Sequence, residues 1–280
     1  MKLLQLNKMK INKKIISVVV WIIALSGLIA SLAFTSSNQK NIEVKSLNIK
    51  IENTDLNSFI DVNDVKLFLT KREEHILNSK IKSVDITKIE KALDVHPAIE
   101  KAEVSVDING DVDIEVIQRT PLVRIFNTDG ESYYIDTKSK LMPLNEKYTA
   151  RVIVATGFIN EPFAKRVKVS VNEIINSETY RKLSVLDDIY VLCNYIEKDS
   201  VLKNLVHQIN MTNENEVEMY LAIGNHKVIF GDAIDIDEKF KKLKQFFIDG
   251  LNKTDGWNKY STINLKYKNQ VVCTKKINAL

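Results

Sequence analysis

The residues of this chain with the most recognisable chemistry are its four histidines, His75, His96, His207 and His226, and its two cysteines, Cys193 and Cys273. A metal site needs such ligands at close spacing, and a nucleophilic enzyme needs a base beside its Ser or Cys. Here the histidines are isolated from one another, with no HExxH or CxxC companion, and read as surface or turn residues. There is no GxSxG elbow, no P-loop and no GxGxxG. With eight glycines and no Gly-rich loop, phosphate cradling has no support. Asp232, Asp235 and Asp237 lie close together, but without EF-hand spacing they read as a helix start. Asp129-Gly130 and Asp136-Thr137 read as turns, and Lys239, Lys241, Lys242 and Lys244 as the solvated face of a helix. No catalytic, cofactor or metal residue emerges. The pattern points to a binding scaffold and away from an enzyme with a small-molecule substrate.

Charge narrows the partners. The formal net charge is +4, and part of it is the early group Lys2, Lys8, Lys10, Lys13 and Lys14. No basic patch carries interleaved aromatics, which argues against nucleic acid. After those lysines, Ile15 to Phe34 contains nothing more polar than serine. About twenty apolar residues is the length a helix needs to cross a bilayer, and the basic flank should stay cytoplasmic. The expectation is a cytoplasmic tail (1–14), a transmembrane helix (15–34) and an external bulk. A cleavable signal peptide competes, with Ser31-Leu32-Ala33 as its cleavage site, but the run exceeds the usual h-region of about 7–15 residues. In an oxidising compartment Cys193 and Cys273 could pair; their apolar neighbours fit two buried thiols.

A polar linker (35–41) leads to a segment reading strand, helix, helix, strand, strand. Ile42 to Ile51 is rich in apolar and β-branched residues. Asp61 and Asp85 can each cap a short helix, the first turning Val65, Phe68 and Leu69 inward, the second Ile86, Ile89 and Leu93, and Pro97 stops the second. Ala102, Val104, Val106 and Ile108 alternate with polar residues, as do Val112, Ile114 and Val116 after Asn109-Gly110. A two-residue Asn-Gly loop would put the two strands' apolar residues on opposite faces. A longer loop, with Ile108 opposite Val112, is therefore expected.

The larger region that follows reads as strands Leu122–Phe126, Ser132–Ile135 and Val152–Ala155, and an amphipathic helix over about Glu178–Glu197. Strands Val206–Met211, Val217–Ile223 and Lys227–Phe230 come next. Asp235 with Glu238 suggests a capping box for a helix burying Ile236, Phe240, Leu243, Phe247 and Leu251. A last strand is expected from about Ser261 to Thr274. The class is α+β.

The order of these pieces resembles the bacterial cell-division family FtsQ, called DivIB in some lineages. The β-α-α-β-β unit, with Asp94-Val95-His96-Pro97-Ala98-Ile99 and Ala102-Glu103-Val104, is similar to that family's POTRA domain (42–121). Gln118-Arg119-Thr120-Pro121 resembles the junction to the family's β-rich domain (122–276, leaving a tail at 277–280). Tyr134-Ile135-Asp136-Thr137 through Met142-Pro143-Leu144 resembles its tyrosine–aspartate turn, with Ser139 or Lys140 where a glycine is usual. Val152 to Gly157 parallels a strand ending in glycine. Ile263-Asn264-Leu265-Lys266-Tyr267 to Val272 resembles the family's last strand, where Asp and Arg are commoner than Asn264 and Lys266.

The resemblance implies a non-enzymatic scaffold without cofactors, single-pass in the inner membrane, bulk periplasmic, at the division septum. It would bind the single-pass proteins FtsB and FtsL and so help control septal peptidoglycan synthesis, with other divisome proteins recruited through the POTRA domain. Strand addition at a terminal edge strand is the implied mode, through Tyr260, Ile263, Leu265, Lys266, Tyr267, Lys268 and Val271. By alternation Ile263, Leu265, Tyr267, Val271 and Cys273 would face the core, and Lys266 and Lys268 would attract an acidic partner; the competing reading is an interior strand with Tyr267 a core residue. The competing readings are a POTRA-bearing chaperone or secretion factor, a membrane-anchored hydrolase and a signalling regulator.

Overall fold

The computed structural model describes residues 13–39, 42–52, 59–72, 76–163, 171, 184–253 and 256–276. Helix α1 (Lys13–Gln39) leads the chain. Val18, Val20, Trp21, Ile22, Ile23, Leu25, Leu28 and Ile29 are exposed all round it. Among the described residues no helix is long and apolar enough to cross a membrane. The α1 side chains described are those of 17, 18 and 20–31, which fall short of an 18-residue span. The expected transmembrane helix is thus unsupported by the described residues.

The remainder forms two compact units, one from the stretch ending at Lys50 with Val62–Val95 and Lys101–Val116, the other from Ile51–Asp61, His96–Glu100 and Ile117–Leu280. The first has the expected order: β1 (Ser46–Glu52), α2 (Val62–Lys71), a 3-10 turn (Ile81–Ser83), α3 (Ile86–Asp94), β2 (Ile99–Val106) and β3 (Asp111–Gln118). Asp85 caps α3 by accepting from the Lys88 amide at 3.0 Å. The strands lie in the order β1-β3-β2. Ser46–Asp111, Asn48–Asp113 and Lys50–Glu115 side-chain bonds all span 65 residues, so β1 runs parallel to β3.

The β2–β3 hairpin keeps the parity expected and changes the register. Asp107, not Ile108, meets the incoming strand, its amide donating to the Asp111 carbonyl at 2.8 Å. Ile108 therefore sits in the loop, 64% exposed, while Val112, Ile114 and Val116 are buried. Gly110 closes the loop at φ +97, with the Glu43 carbonyl oxygen 2.5 Å from where a Cβ would stand.

The second unit is built on one nine-stranded mixed sheet in the order β12-β11-β10-β9-β8-β7-β4-β5-β6. Its strands are β4 (Pro121–Phe126), β5 (Ser132–Asp136), β6 (Leu141–Pro143), β7 (Ile153–Gly157), β8 (Val206–Met211), β9 (Val217–Leu221), β10 (Lys227–Gly231), β11 (Tyr260–Asn264) and β12 (Val272–Lys275). Helices α4 (Leu186–Glu197), α5 (Ser200–Leu205) and α6 (Ile236–Gln245) accompany it, and α6 widens into a π-helical segment over Phe246–Asn252. The start of the amphipathic helix expected from Glu178 lies outside the described residues up to Leu183.

Registered pairs run straight across the sheet. Ile125, Ala155, Ile209, Met219, Val228, Ile263 and Cys273 are successive cross-strand neighbours. They join the core that Ile189, Cys193, Ile196, Phe240 and Leu243 of α4 and α6 also enter. The rows on either side are largely polar, with Gln208 bonded to Thr156 at 3.0 Å and Lys227 to Glu218 at 2.7 Å.

Three expectations fail around α6. Asp235 adopts φ 54 and makes no side-chain cap bond, so the capping box does not form. Lys239 is buried, its Nζ bonded to the Asp232 carbonyl at 2.8 Å and set over the Phe230 ring at 5.0 Å. The long alkyl stem lets it line the core while its head finds oxygen. Lys244 pairs with Asp199, which leaves Lys241 as the exposed member of the set.

The Gln118-Arg119-Thr120-Pro121 stretch is explained by its partners in this unit. The Gln118 side-chain oxygen accepts from the amides of Phe59 (2.6 Å) and Ile60 (3.0 Å). Arg119 pairs with fully buried Asp136 at 2.7 Å. The other Asp136 oxygen accepts from the Lys138 and Lys140 amides and shapes the β5–β6 turn, where Ser139 holds φ 65. Ser139 thus occupies the position that favours glycine. Removing one partner of a buried ion pair leaves an uncompensated charge. Asp136→Ala should therefore cost about 3–5 kcal/mol of stability, read as a lower urea midpoint for the full chain.

Candidate partner-binding edge

The stretch expected as one final strand is a hairpin. Strand β11 stops because the Asn264 side-chain oxygen turns back to accept from the Lys266 amide at 2.9 Å, and Asn269 takes φ 59 in the loop. The chain then returns as β12, antiparallel to β11, while β11 itself runs parallel to β10. β11 is interior and β12 is the sheet's edge.

The expected site residues divide accordingly. Ile263 and Leu265 are fully buried core residues, and Tyr260 and Val271 are partly buried against that core. Tyr267 stands 49% exposed in the loop, next to exposed Lys266 and Lys268. Lys266 is already paired with Glu216, a contact that raises its pKa. Of the residues expected to face the core, Tyr267 instead faces water. It does so because Lys242 of α6 donates to the carbonyls of Leu265 (3.1 Å) and Tyr267 (2.7 Å) and holds the loop away from strand geometry.

Backbone direction on β12 follows from its bonds. The Lys276 amide donates to the Lys259 carbonyl, and the Thr274 carbonyl accepts from Ser261 Oγ, so even positions face β11. Cys273 and Lys275 therefore turn their N–H and C=O groups to the open edge. Neither residue was singled out from sequence for this role, nor was Lys242. The signal available was the Asn264–Asn269 turn composition. Lys268, Lys275 and Lys276 make no ion pair with another described residue, leaving a cationic rim beside the edge.

Among the described residues no group of three or more His, Cys, Asp or Glu could hold a metal ion. His96 accepts from the Ala98 amide at 3.2 Å, His207 is exposed, and His75 lies outside the described residues. Cys193 and Cys273 are free thiols, and burial pushes both pKa values up.

His226 is buried just before β10, stacked on Trp257 (5.9 Å) and near Phe247 (6.4 Å). Both ring nitrogens lack a hydrogen-bond partner among the described residues. Burial holds its pKa below the ordinary 6.5; the Trp257 backbone tempers this and Lys276 adds to it.

Together the β-α-α-β-β unit and the mixed sheet with an open terminal edge define a POTRA-like domain followed by a β-rich domain. Residues 43–117 match the family model described as POTRA-like domain. Residues 120–274 match the model described as FtsQ/DivIB, C-terminal related. The chain belongs to the FtsQ/DivIB family of cell-division proteins. No individual curated protein matches it.

Two outcomes follow. Lys242→Met should speed amide exchange across 265–271 and cost about 1.5–3 kcal/mol, the range for hydrogen bonds to a charged group. As pH falls through 6.5, the unfolded state takes up a proton that folded His226 resists, so stability falls with pH. A melting series from pH 7.5 to about 5.5 should show a smaller loss in His226→Phe than in wild type.

Proposed function

We propose that this chain is a membrane-anchored, non-enzymatic division scaffold that binds FtsB- and FtsL-like single-pass proteins by strand addition to β12. Through them it helps regulate septal peptidoglycan synthesis, and its POTRA domain recruits other divisome proteins. The carrying observation is the apolar cross-strand row that ends on Cys273 at an edge with outward-facing backbone groups. An added strand continues the ladder and puts an apolar side chain beside Cys273.

Magnitudes say what else the partner must touch. The outward N–H and C=O groups of Cys273 and Lys275 contribute about 1 kcal/mol per bond, or roughly 4 in all. That corresponds to a Kd near 1 mM before ordering costs. Side chains supply the rest. Exposed Tyr267 offers aromatic area, and Lys268 and Lys275 favour an acidic segment. Ile263 and Leu265 act by shaping the hairpin from beneath.

The anchor in this reading is α1, with the N-terminus cytoplasmic and the bulk outside. Its support is the sequence, the uncharged run Ile15–Phe34 behind five lysines. The location is the bacterial inner membrane at the septum.

The test is a pull-down of detergent-solubilised full chain against the FtsB- and FtsL-like proteins of the same cell. Lys275→Pro removes an outward amide at an edge position that tolerates proline. It should weaken capture at least about tenfold, roughly 1.4 kcal/mol, with circular dichroism unchanged. Tyr267→Ala should weaken it severalfold. Wild-type capture by both native-like variants contradicts strand addition. Weak capture of many unrelated extended peptides favours a chaperone or secretion role.

A further inference from the structure

Strand β2 is an edge of the three-stranded sheet, at the side opposite β1. Two of its outward amides are occupied by side chains. The Ala102 amide donates to Asp94 Oδ1 and the Val104 amide to Glu90 Oε1, each at 3.0 Å. Carboxylates one helical turn apart on α3 thus match amides two residues apart on the strand. One turn rises about 5.4 Å and two strand residues about 6.8 Å, close enough for side chains to bridge. Asp94 is the last residue of α3, where a negative charge opposes the helix dipole. Its bond to Ala102 offsets that penalty.

The edge they cover is self-complementary. Ala102 faces outward, so two copies of β2 aligned antiparallel about it form a hydrogen-bonded Ala102 pair. Each Lys101 then stands opposite the second copy's Glu103. Within one chain these two side chains already form an ion pair, which raises the Lys101 pKa and lowers that of Glu103. Beside the strand runs an open groove of about 600 Å³, lined by Glu90, Asp94, Lys101, Glu103 and Ser105 among others.

We propose that Glu90 and Asp94 close the β2 edge against strand addition, and that the strand they keep out is β2 of a second copy of this chain. The carboxylates act as a surrogate strand, satisfying the amides that would otherwise template pairing. Release of both exposes an edge whose best-matched partner is itself.

The experiment compares full-length wild type in detergent with Glu90→Ala/Asp94→Ala and with Glu90→Gln/Asp94→Asn. The second variant keeps an acceptor oxygen at each position. At dilute, monomeric concentration, hydrogen exchange at Ala102 and Val104 should quicken at least about tenfold in the double-alanine variant and stay near wild type in the amide variant. By light scattering the double-alanine variant should double its mass with concentration relative to wild type, and adding Lys101→Glu should reverse this. Unchanged exchange at Ala102 and Val104 in the dilute monomer, or an unchanged mass across the concentration range, overturns the proposal. Should the double variant fail to fold, Glu90→Ala alone frees the Val104 amide and is read the same way.

Discussion

A sheet that does not close on itself must end in backbone groups that have no strand to pair with, and everything distinctive about the second unit follows from how its two ends differ. One end is β6, only three residues long and finishing in Pro143. Shortness and a residue without an amide make it a poor template. The other end is β12, where the apolar row that begins at Ile125 in β4 arrives at Cys273 only half-covered. The sheet is therefore blunted on one side and left extensible on the other.

An extensible edge is useful for recognition only if it is held still. Leu265 donates its amide to the Ile229 carbonyl and buries its side chain, which pins the end of β11. Lys242 holds the loop, and Lys266 ties it to Glu216 on the far side of β10. Beneath the start of the hairpin, Trp257 packs on Phe247 at 5.1 Å and on His226. The lysines that a sequence pattern assigns to solvent are thus largely structural. Lys268, Lys275 and Lys276, on the hairpin and at its end, make no ion pair with another described residue. At the opposite side of the unit, Asp136 does comparable work by gathering Arg119 and two turn amides into one buried knot.

Much of this was legible from periodicity. Strands with one buried face declared themselves through Val112, Ile114 and Val116 or Val217 and Met219, because a period of two admits little else. Parity alone required the longer β2–β3 loop, although it could not say that Ile108 belonged to that loop. The terminal hairpin was hidden by the same rule. Alternation continues from Ile263 through Tyr267 to Val271 and Cys273, so the pattern looks unbroken while the backbone reverses between Asn264 and Asn269. Lys239 was misread because a buried ammonium depends on Asp232 and Phe230 being brought to it by the fold. Family resemblance pointed to this terminal segment; only strand order separates its interior strand from its open one.

The account stands or falls on the direction in which Cys273 and Lys275 present their backbone. Residue-resolved amide exchange in the full chain, with and without an FtsB- and FtsL-like partner, reads this directly. The account predicts that both amides exchange freely alone and slow by at least about tenfold on binding, while Val272 and Thr274, already bonded to β11, change little. Partner binding that leaves the Cys273 and Lys275 amides unprotected would contradict it and move the interface off the sheet edge.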